Sequence, residues 1–244
     1  MRIKNNPSIS KKVLGIFSLL FMNSALATAQ NEIGARITRY EVKKEFQEKF
    51  KNTVAAYVQK SILSDKNIMS EAYLEQENQA VIWLFERWIN QNELEKFGKN
   101  FKEINDLAKT ALLVPQKVIE VKDLEPLTKE QWRKTSRKGE EQLTIMLFVD
   151  AKKGTEDNFM KVYHKAMPEF RSESGVVTYQ LSQLKEDPTQ FVTFEKFRNK
   201  EAFQYHLNFP PIQPVIDFLN SSIKKQPFQD GIHNLIEFAP LIRE

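Results

Sequence analysis

The sequence contains no cysteine, only 7 glycines and only 3 histidines. Without cysteine the chain has no disulfide, no thiolate nucleophile and no cysteine-ligated metal. His164, His206 and His233 are not spaced as a metal-ligand pair, and the scattered glycines form no phosphate-binding loop. Motifs of nucleotide-binding proteins, zinc proteases and serine hydrolases are also absent. These absences argue against a metal or nucleotide cofactor and predict a fold that depends on its hydrophobic core.

The first 29 residues differ in composition from the rest. They hold four basic residues, no acidic ones and an apolar stretch from Val13 to Leu26. Ala27-Thr28-Ala29 has the small-x-small pattern of a cleavage site, which predicts a signal peptide and a mature chain that starts at Gln30. The apolar stretch is too short to span a bilayer, so we expect no stable membrane insertion after cleavage. An uncleaved anchor is the alternative. The expected location is the periplasm or the medium.

Charge outside this segment is balanced. The whole chain has 36 Lys+Arg and 32 Asp+Glu, a net charge of +4. The four basic residues of the first 29 account for that excess, which leaves 32 charges of each sign in the mature chain. Proteins that bind DNA or RNA carry clustered positive charge, so nucleic acid is not an expected partner.

Two stretches of the chain resemble each other. Residues 81–97 read VIWLFERWINQNELEKF and residues 191–205 read FVTFEKFRNKEAFQY. Residues 85–90 (FERWIN) align with 194–199 (FEKFRN) at a separation of 109 positions, and a one-residue slip then aligns residues 93–94 with 201–202. The same order of predicted elements surrounds both stretches, so the sequence predicts an internal repeat.

Each repeat is predicted to run strand–helix–strand–strand–helix–strand. Alternating or continuous apolar residues predict strands at 35–42, 68–75, 80–88, 117–121, 142–149, 176–183, 190–197 and 234–238. Apolar residues at helical spacing predict helices over 46–62, over 94–111 as one long helix, from Gly154-Thr155 to Phe170, and from Lys200 to Ile223 with an interruption at Pro210-Pro211. This order is that of α+β, ferredoxin-like βαββαβ domains.

The predicted domains follow from this repeat. They are a signal peptide (1–29), a first domain (30–122), a polar linker rich in Lys, Arg, Glu and Thr (123–141) and a second domain (142–244). The mature chain thus consists of two tandem ferredoxin-like domains.

The second repeat resembles the antibiotic biosynthesis monooxygenase domain of the dimeric α/β-barrel superfamily. The resemblance rests on FVTFEKF (191–197), on NKEAF (199–203) and His206, and on GVVTY (175–179). It covers 140–240 well and 34–122 weakly, and the first copy has Phe97 or Gly98 at the place of His206. The resemblance implies pairing of two such sheets into a barrel, here inside one chain or in a homodimer.

The resemblance also implies an activity. Family members oxidise quinols or anthrones with molecular oxygen and without metal or flavin, in an apolar pocket with a polar group that takes a phenolic proton. His206 and His164 are the candidates for that group, and Tyr163, Tyr179, Phe194 and Phe197 are the candidates to bind a small aromatic substrate.

Each candidate has a structural alternative. His206 can end its helix bonded to a backbone carbonyl, and His164 can face solvent on its helix. The aromatic residues, like Trp83 and Trp88 of the first repeat, can be plain core. Glu195 has a counterpart in Glu86, and this duplication favours a structural hydrogen bond over catalysis. His233 is predicted to lie in a loop.

Three functions are therefore compatible with the sequence. The first is a cofactor-independent monooxygenase of the quinol monooxygenase type, exported and with its pocket in the second repeat. The second is a non-catalytic small-molecule-binding or stress-associated protein on the same fold, with both pockets filled by side chains. The third is a structural protein of the cell envelope with a large exposed apolar patch.

Overall fold

A computed structural model of the chain describes residues 32–134 and 139–240, so the predicted signal peptide lies outside the described residues. The strands are β1 (Gly34–Glu41), β2 (Asn67–Glu75), β3 (Val81–Trp88), β4 (Lys117–Leu124), β5 (Leu143–Asp150), β6 (Val176–Leu184), β7 (Gln190–Phe197) and β8 (Ile232–Ala239). The helices are α1 (Gln47–Ile62), α2 (Gln91–Asn100), α3 (Lys102–Ala111), α4 (Lys129–Trp132), α5 (Glu156–Ser172), α6 (Lys200–Asn208) and α7 (Gln213–Ser221). Short 3-10 turns precede α1, α7 and β8.

The eight strands close into one barrel in the order β1-β3-β2-β8-β5-β7-β6-β4. The first repeat supplies the sheet β4-β1-β3-β2 and the second supplies β8-β5-β7-β6, as expected for two ferredoxin-like units. The sheets join at two seams, where β2 pairs with β8 and β4 pairs with β6, both antiparallel. The predicted internal pairing of the repeats is therefore present within a single chain.

Strand alternation divides each sheet into a barrel face and a helix face, because successive side chains point to opposite sides. Phe85 on β3 and Phe194 on β7 meet inside the barrel, with ring centroids 4.8 Å apart. The residues that follow them, Glu86 and Glu195, lie on the helix faces. Each helix face is covered by the helices of its own repeat, which gives one core inside the barrel and one under each helical layer.

Strand register shows that the first three strands of the two repeats correspond at a separation of 109 residues. On β3, Glu86 pairs with Arg36 and Ser70, whereas Glu195 on β7 pairs with Ile145 and Tyr179. The N-caps agree, since the side chain of Asn90 accepts from Glu93 N at 2.9 Å and that of Asn199 accepts from Ala202 N at 2.8 Å. The one-residue slip in the sequence alignment is therefore wrong for these helices.

Two other predictions of secondary structure need correction. The long helix predicted over 94–111 is two helices, because the backbone of Phe101 leaves the helical region at φ −98° and ψ 83°. His233 is not in a loop but on β8, where its Nδ1 lies 2.8 Å from Glu75 Oε1.

The segment predicted as a polar linker is partly built into the barrel. β4 continues to Leu124, and the short helix α4 begins with a capping box at Thr128. Leu127 and Trp132 are buried in the barrel core, where Trp132 lies 5.9 Å from the ring of Phe194. The connection between the repeats thus adds apolar contacts to the barrel core.

Buried ion pairs lie at both seams. Lys196 Nζ is 3.0 Å from Glu71 Oε2 of the first repeat and 3.1 Å from Glu237 Oε2. At the opposite seam, Arg87 binds Asp123 through two hydrogen bonds of 2.9 and 3.0 Å. Because a buried charge without a partner is costly, these contacts favour the observed alignment of the two sheets over others. In the described parts of the chain, no helix is long and apolar enough to cross a membrane.

Candidate functional site

The candidate site is a cavity of about 60 Å³ on the helix face of the second repeat, here called the second-half cavity. Its polar wall consists of Tyr163 from α5, Tyr179 from β6, Glu195 from β7 and His206 from α6. Apolar side chains of β5, α6 and α7 form the remainder. The Pro210-Pro211 break between α6 and α7 lets this layer bend over the sheet, so that both helices contribute to the cavity.

Glu195 is the buried carboxylate of this cavity. Its Oε1 accepts hydrogen bonds from Tyr179 OH at 3.0 Å and Thr193 Oγ1 at 2.8 Å. Burial raises the pKa of Glu195 to about 7, although these two hydrogen bonds act in the opposite direction. Its cross-strand neighbours are Ile145 and Tyr179, neither of which is a cation. A carboxylate with this pKa can accept and release a proton near neutral pH.

His206 and Glu173 form a second titratable pair next to Glu195. His206 Nδ1 lies 2.7 Å from Glu173 Oε1, and both side chains are 2% exposed. Burial lowers the pKa of His206 to about 4, whereas burial and the charge of Glu195 raise the pKa of Glu173 to about 7. The environment therefore favours the neutral form of each. Glu173 Oε2 is buried and has no hydrogen-bond partner among the described residues.

The ring of His206 is held among aromatic side chains. Its centroid is 4.7 Å from that of Phe170, 5.2 Å from Phe197 and 5.4 Å from Tyr179. Since Nδ1 faces Glu173, the contacts of the ring leave Nε2 as the atom available to a bound molecule.

Tyr163 connects the cavity to a larger space. It also lines an apolar cleft of about 440 Å³ between α5 and the end of β4, together with Met160, Met167 and Leu181. The hydroxyls of Tyr163 and Tyr179 interact, and burial and the charge of Glu195 raise the pKa of both. Tyr163 therefore lies between the cleft and the cavity that holds Tyr179 and Glu195.

The residues predicted for the site separate into two groups. His206, Tyr163 and Tyr179 come together in the second-half cavity, and Phe197 packs against the ring of His206. Phe194 does not reach it, because it lies on the barrel face of β7 among Tyr73, Phe85 and Trp132. The side chain of His164 is 79% exposed at the rim of the cleft, where it contacts Glu125.

Sequence reasoning missed two functional candidates. Glu173 lies in the turn after α5, and no motif links it to His206, 33 residues further on. The sequence predicts a structural hydrogen bond for Glu195, because Glu86 occupies the corresponding position of the first repeat. Only the strand register shows that the two glutamates have different neighbours, Arg36 and Ile145.

The described residues contain no cluster of three or more His, Cys, Asp or Glu that could hold a metal ion. The titratable groups of the second-half cavity can transfer protons to and from a molecule bound in an apolar space, with a neutral imidazole beside it.

Comparison with known proteins identifies the class to which this architecture belongs. The family model described as "Antibiotic biosynthesis monooxygenase" matches the chain twice, over residues 34–101 and 143–215. The two matches together span more than half of the chain. The protein belongs to the antibiotic biosynthesis monooxygenase family and carries its domain as a tandem repeat, as the sequence predicted.

Solved structures share the whole tandem fold. A proposed monooxygenase from Lactobacillus acidophilus matches with a TM-score of 0.69 at 14% identity, over 84% of this chain and 94% of that one. A proposed monooxygenase from Fusobacterium nucleatum matches with a TM-score of 0.70 at 13% identity, over 84% and 92%. An anthrone oxidase-like protein matches with a TM-score of 0.58 at 11% identity, over 86% and 92%. Curated protein sequences give no significant match.

Proposed function

We propose that the protein is a cofactor-independent monooxygenase that oxidises a small quinol- or anthrone-like aromatic compound with molecular oxygen. The observation that carries this proposal is Glu195, a buried carboxylate at a cavity shared with His206 and two tyrosines, with no cation partner among the described residues. The family match and the similarity in fold to an anthrone oxidase-like protein agree with it.

The two spaces suggest where the reactants bind. An engineered apolar cavity that binds benzene measures about 150 Å³, so the second-half cavity of about 60 Å³ suits dioxygen better than a ring. The cleft of about 440 Å³ is large enough for an aromatic compound. In this proposal the ring occupies the cleft against Tyr163, and oxygen occupies the smaller cavity beside His206. His164 lies at the entrance, away from the reacting atoms.

The first step is removal of a proton from the substrate. The hydroxyl proton of the quinol, or of the enol form of the anthrone, passes to Tyr163 while Tyr163 passes its own to Tyr179 and Tyr179 passes its own to Glu195. Because the tyrosine pKa values are raised, the transfers are concerted and no tyrosinate accumulates. The resulting anion is electron-rich enough to react with oxygen.

The oxidation then needs no external electron donor. The anion gives one electron to dioxygen, and the two radicals combine to form a carbon–oxygen bond and a peroxide. The outer oxygen of the peroxide takes up one proton, which in net terms is the proton that Glu195 received from the substrate. The carbon then loses its own proton, the oxygen–oxygen bond breaks and water leaves, so that the carbon becomes a carbonyl. One dioxygen is consumed, one oxygen atom enters the product and the other leaves as water.

His206 is suited to stabilise the partly reduced oxygen. When Glu173 is protonated it donates to Nδ1, so that the ring proton is on Nε2 and can be donated to the superoxide or peroxide. The raised pKa of Glu173 keeps this proton available up to about pH 7. His206 therefore acts as a neutral donor and Glu195 as the base.

The test is oxygen consumption by the purified protein with a panel of quinols and anthrones, in the presence of a chelator and without added cofactor. We expect uptake above autoxidation, with one oxygen consumed per product. Glu195→Gln should lose roughly 10²–10⁴-fold of the rate, the usual contribution of a general base. His206→Phe, which installs the residue of the first repeat, should also lose activity. Glu201→Gln, an exposed glutamate on α6, is the matched control.

Two results would contradict the proposal. Uptake no faster than autoxidation across the panel would favour a non-catalytic binding protein on the same fold. Full activity in Glu195→Gln would remove Glu195 as the base.

We also propose that the protein is exported, since residues 1–29 carry the pattern of a signal peptide. The measurement is the N-terminal residue and the cell fraction of the native protein. A mature chain that starts at Gln30 supports export, and an intact N-terminus in the cytoplasmic fraction contradicts it.

A further inference from the structure

The first repeat has a cavity at the position that corresponds to the second-half cavity. This first-half cavity measures about 240 Å³ and lies on the helix face of β1 and β3 beneath α1, α2 and α3. Arg36 and Thr38 line it where Ile145 and Leu147 line the other. Gly98 lines it at the place of Leu207, and the missing side chain contributes to its larger volume.

The glutamate beneath this cavity is fully engaged. Glu86 Oε2 accepts from Arg36 Nε at 3.1 Å and from Arg36 Nη2 at 2.6 Å. Its Oε1 accepts from Tyr57 OH and, at 3.4 Å, from Trp88 Nε1. With both oxygens occupied and a cation beside it, Glu86 is not free to take a proton from a ligand. The first-half cavity therefore lacks the base that the proposed function places in the second repeat.

Arg36 nevertheless has N–H groups that its hydrogen bonds to Glu86 leave unused. A guanidinium carries five N–H groups, and the bonds to Glu86 engage only Nε and Nη2. Among the described residues, Nη1 has no hydrogen-bond partner, and the Arg36 side chain is 21% exposed in a cavity that it lines. An acceptor oxygen on a bound molecule would satisfy these N–H groups.

The remaining walls suit an uncharged aromatic ligand. Tyr40, Tyr57 and Phe101 present aromatic surface, and Leu84 and Ile104 are apolar. The charges nearby cancel, because Arg36 is paired with Glu86 and Lys99 lies 3.5 Å from Glu95 at the rim. A full negative charge would gain little from Arg36 while Glu86 remains beside it.

From these observations we infer that the first-half cavity is a second, non-catalytic ligand site, specific for a single-ring aromatic compound that presents a neutral carbonyl oxygen to Arg36. The carbonyl accepts from Arg36 Nη1 and the ring packs against the tyrosines and Phe101. The site depends on geometry in the first repeat alone, so it is independent of turnover in the second.

Gly98 provides the test, because a side chain there enters the cavity without disturbing the backbone. A Cβ added at Gly98 would meet Arg36 Nη2 at 3.7 Å, an ordinary contact, and no other atom closer. Leucine also has a higher helix propensity than glycine, so Gly98→Leu is expected to fold. Gly98→Ala, which adds only a methyl group, is the matched control.

The measurement is titration calorimetry of the full chain with benzamide, and with benzoate as its anionic counterpart. We expect benzamide to bind, Gly98→Leu to weaken it at least tenfold, and Gly98→Ala and His206→Phe to keep it. Benzoate should bind more weakly than benzamide.

Absence of benzamide binding, or unchanged binding in Gly98→Leu, would overturn the site. Tighter binding of benzoate would overturn the assignment of a neutral acceptor. A loss of binding in Gly98→Leu is specific to the first-half cavity, because Gly98 lines that cavity and not the cleft or the cavity of the second repeat. No turnover is measured, so the result does not require catalysis in the second repeat.

Discussion

The two repeats place a glutamate at the same position of the same strand and give it opposite surroundings. In the first repeat Glu86 pairs across the strands with Arg36, and the two form an ion pair of 2.6 Å. In the second repeat the corresponding neighbour of Glu195 is Ile145. The comparison teaches that the residue at one position of the neighbouring strand decides whether this glutamate forms a structural ion pair or has a pKa near neutrality.

Other differences between the repeats follow the same division. Ser70 faces Glu86, whereas Tyr179 faces and donates to Glu195. Phe97 stacks on Trp88 at 4.8 Å, whereas His206 packs on Phe197 at 5.2 Å. The second repeat thus places a carboxylate and an imidazole, neither paired with a cation among the described residues, at its cavity. The first repeat replaces them with a closed ion pair, an aromatic contact and a larger cavity.

The largest expected effect on stability comes from breaking the ion pair of the first repeat. Glu86→Gln leaves Arg36 with no charged partner in a mostly buried site, which typically costs about 3–5 kcal/mol. Chemical denaturation at pH 8 should show this loss as a lower midpoint with an unchanged slope. The double variant Arg36→Met/Glu86→Gln is the control, because removing both charges should recover much of the loss. A Glu86→Gln protein as stable as the parent would show that the pair contributes little.

The matching change in the second repeat should act in the opposite direction. The pKa of Glu195 is raised from an ordinary 4.5 to about 7, so between these values the folded state binds a proton that the unfolded state has lost. Stability therefore falls as the pH rises through this window and is constant above it. Glu195→Gln removes the penalty and should stabilise the protein by at most about 3 kcal/mol above pH 7.

The pH dependence separates this effect from a change in packing. The gain in Glu195→Gln should be small near pH 4.5, where the folded Glu195 is protonated and the unfolded side chain is half protonated, and grow up to pH 7. Denaturation at several pH values measures it, with Glu201→Gln as the exposed control. Burial also raises the pKa of Glu173 to about 7. The stability of the Glu195→Gln variant should therefore still fall with pH in this window, but less steeply than that of the parent. An equal gain at pH 4.5 and pH 8 would contradict the raised pKa.

The fold was predictable because its main signals are local. The apolar stretches at residues 80–88 and 190–197 predict β3 and β7 within one residue, and the recurring FE pair indicates the repeat. The break of the predicted long helix at Phe101 was not visible, because Leu94, Phe97, Phe101 and Ile104 keep helical spacing across it. Burial of Leu127 and Trp132 depends on barrel closure, which a polar linker composition does not reveal.

The candidate site was predictable only in part, for a related reason. Strand and helix patterns bring Tyr163, Tyr179 and His206 to one face, and they lie together in the structure. Phe194 was assigned to the site because aromatic character carries no information about which face of β7 it occupies. The neighbours of Glu195 and the partner of His206 are set by register and by a turn, both of which require the assembled fold.

The smallest expected effect comes from a substitution that transfers the cation of the first repeat to the second, and it tests the comparison itself. Ile145→Arg places a guanidinium across the strands from Glu195, in the register that Arg36 has with Glu86. A cation next to a carboxylate lowers the carboxylate pKa by roughly 1–3 units. If Glu195 is the base, the increase of activity with pH should occur at a lower pH in the variant than in the parent.

The measurement is the pH profile of oxygen consumption between pH 4.5 and 9, supported by denaturation over the same range. The acidic limb of the profile, near pH 7 in the parent, should move down by about one unit, and the loss of stability between pH 4.5 and 7 should shrink. Ile145→Met controls for side-chain length, because it fills similar space without charge and should leave the limb in place. A limb that stays near pH 7 in Ile145→Arg would mean that Glu195 does not set it, and Glu173 would become the group to test.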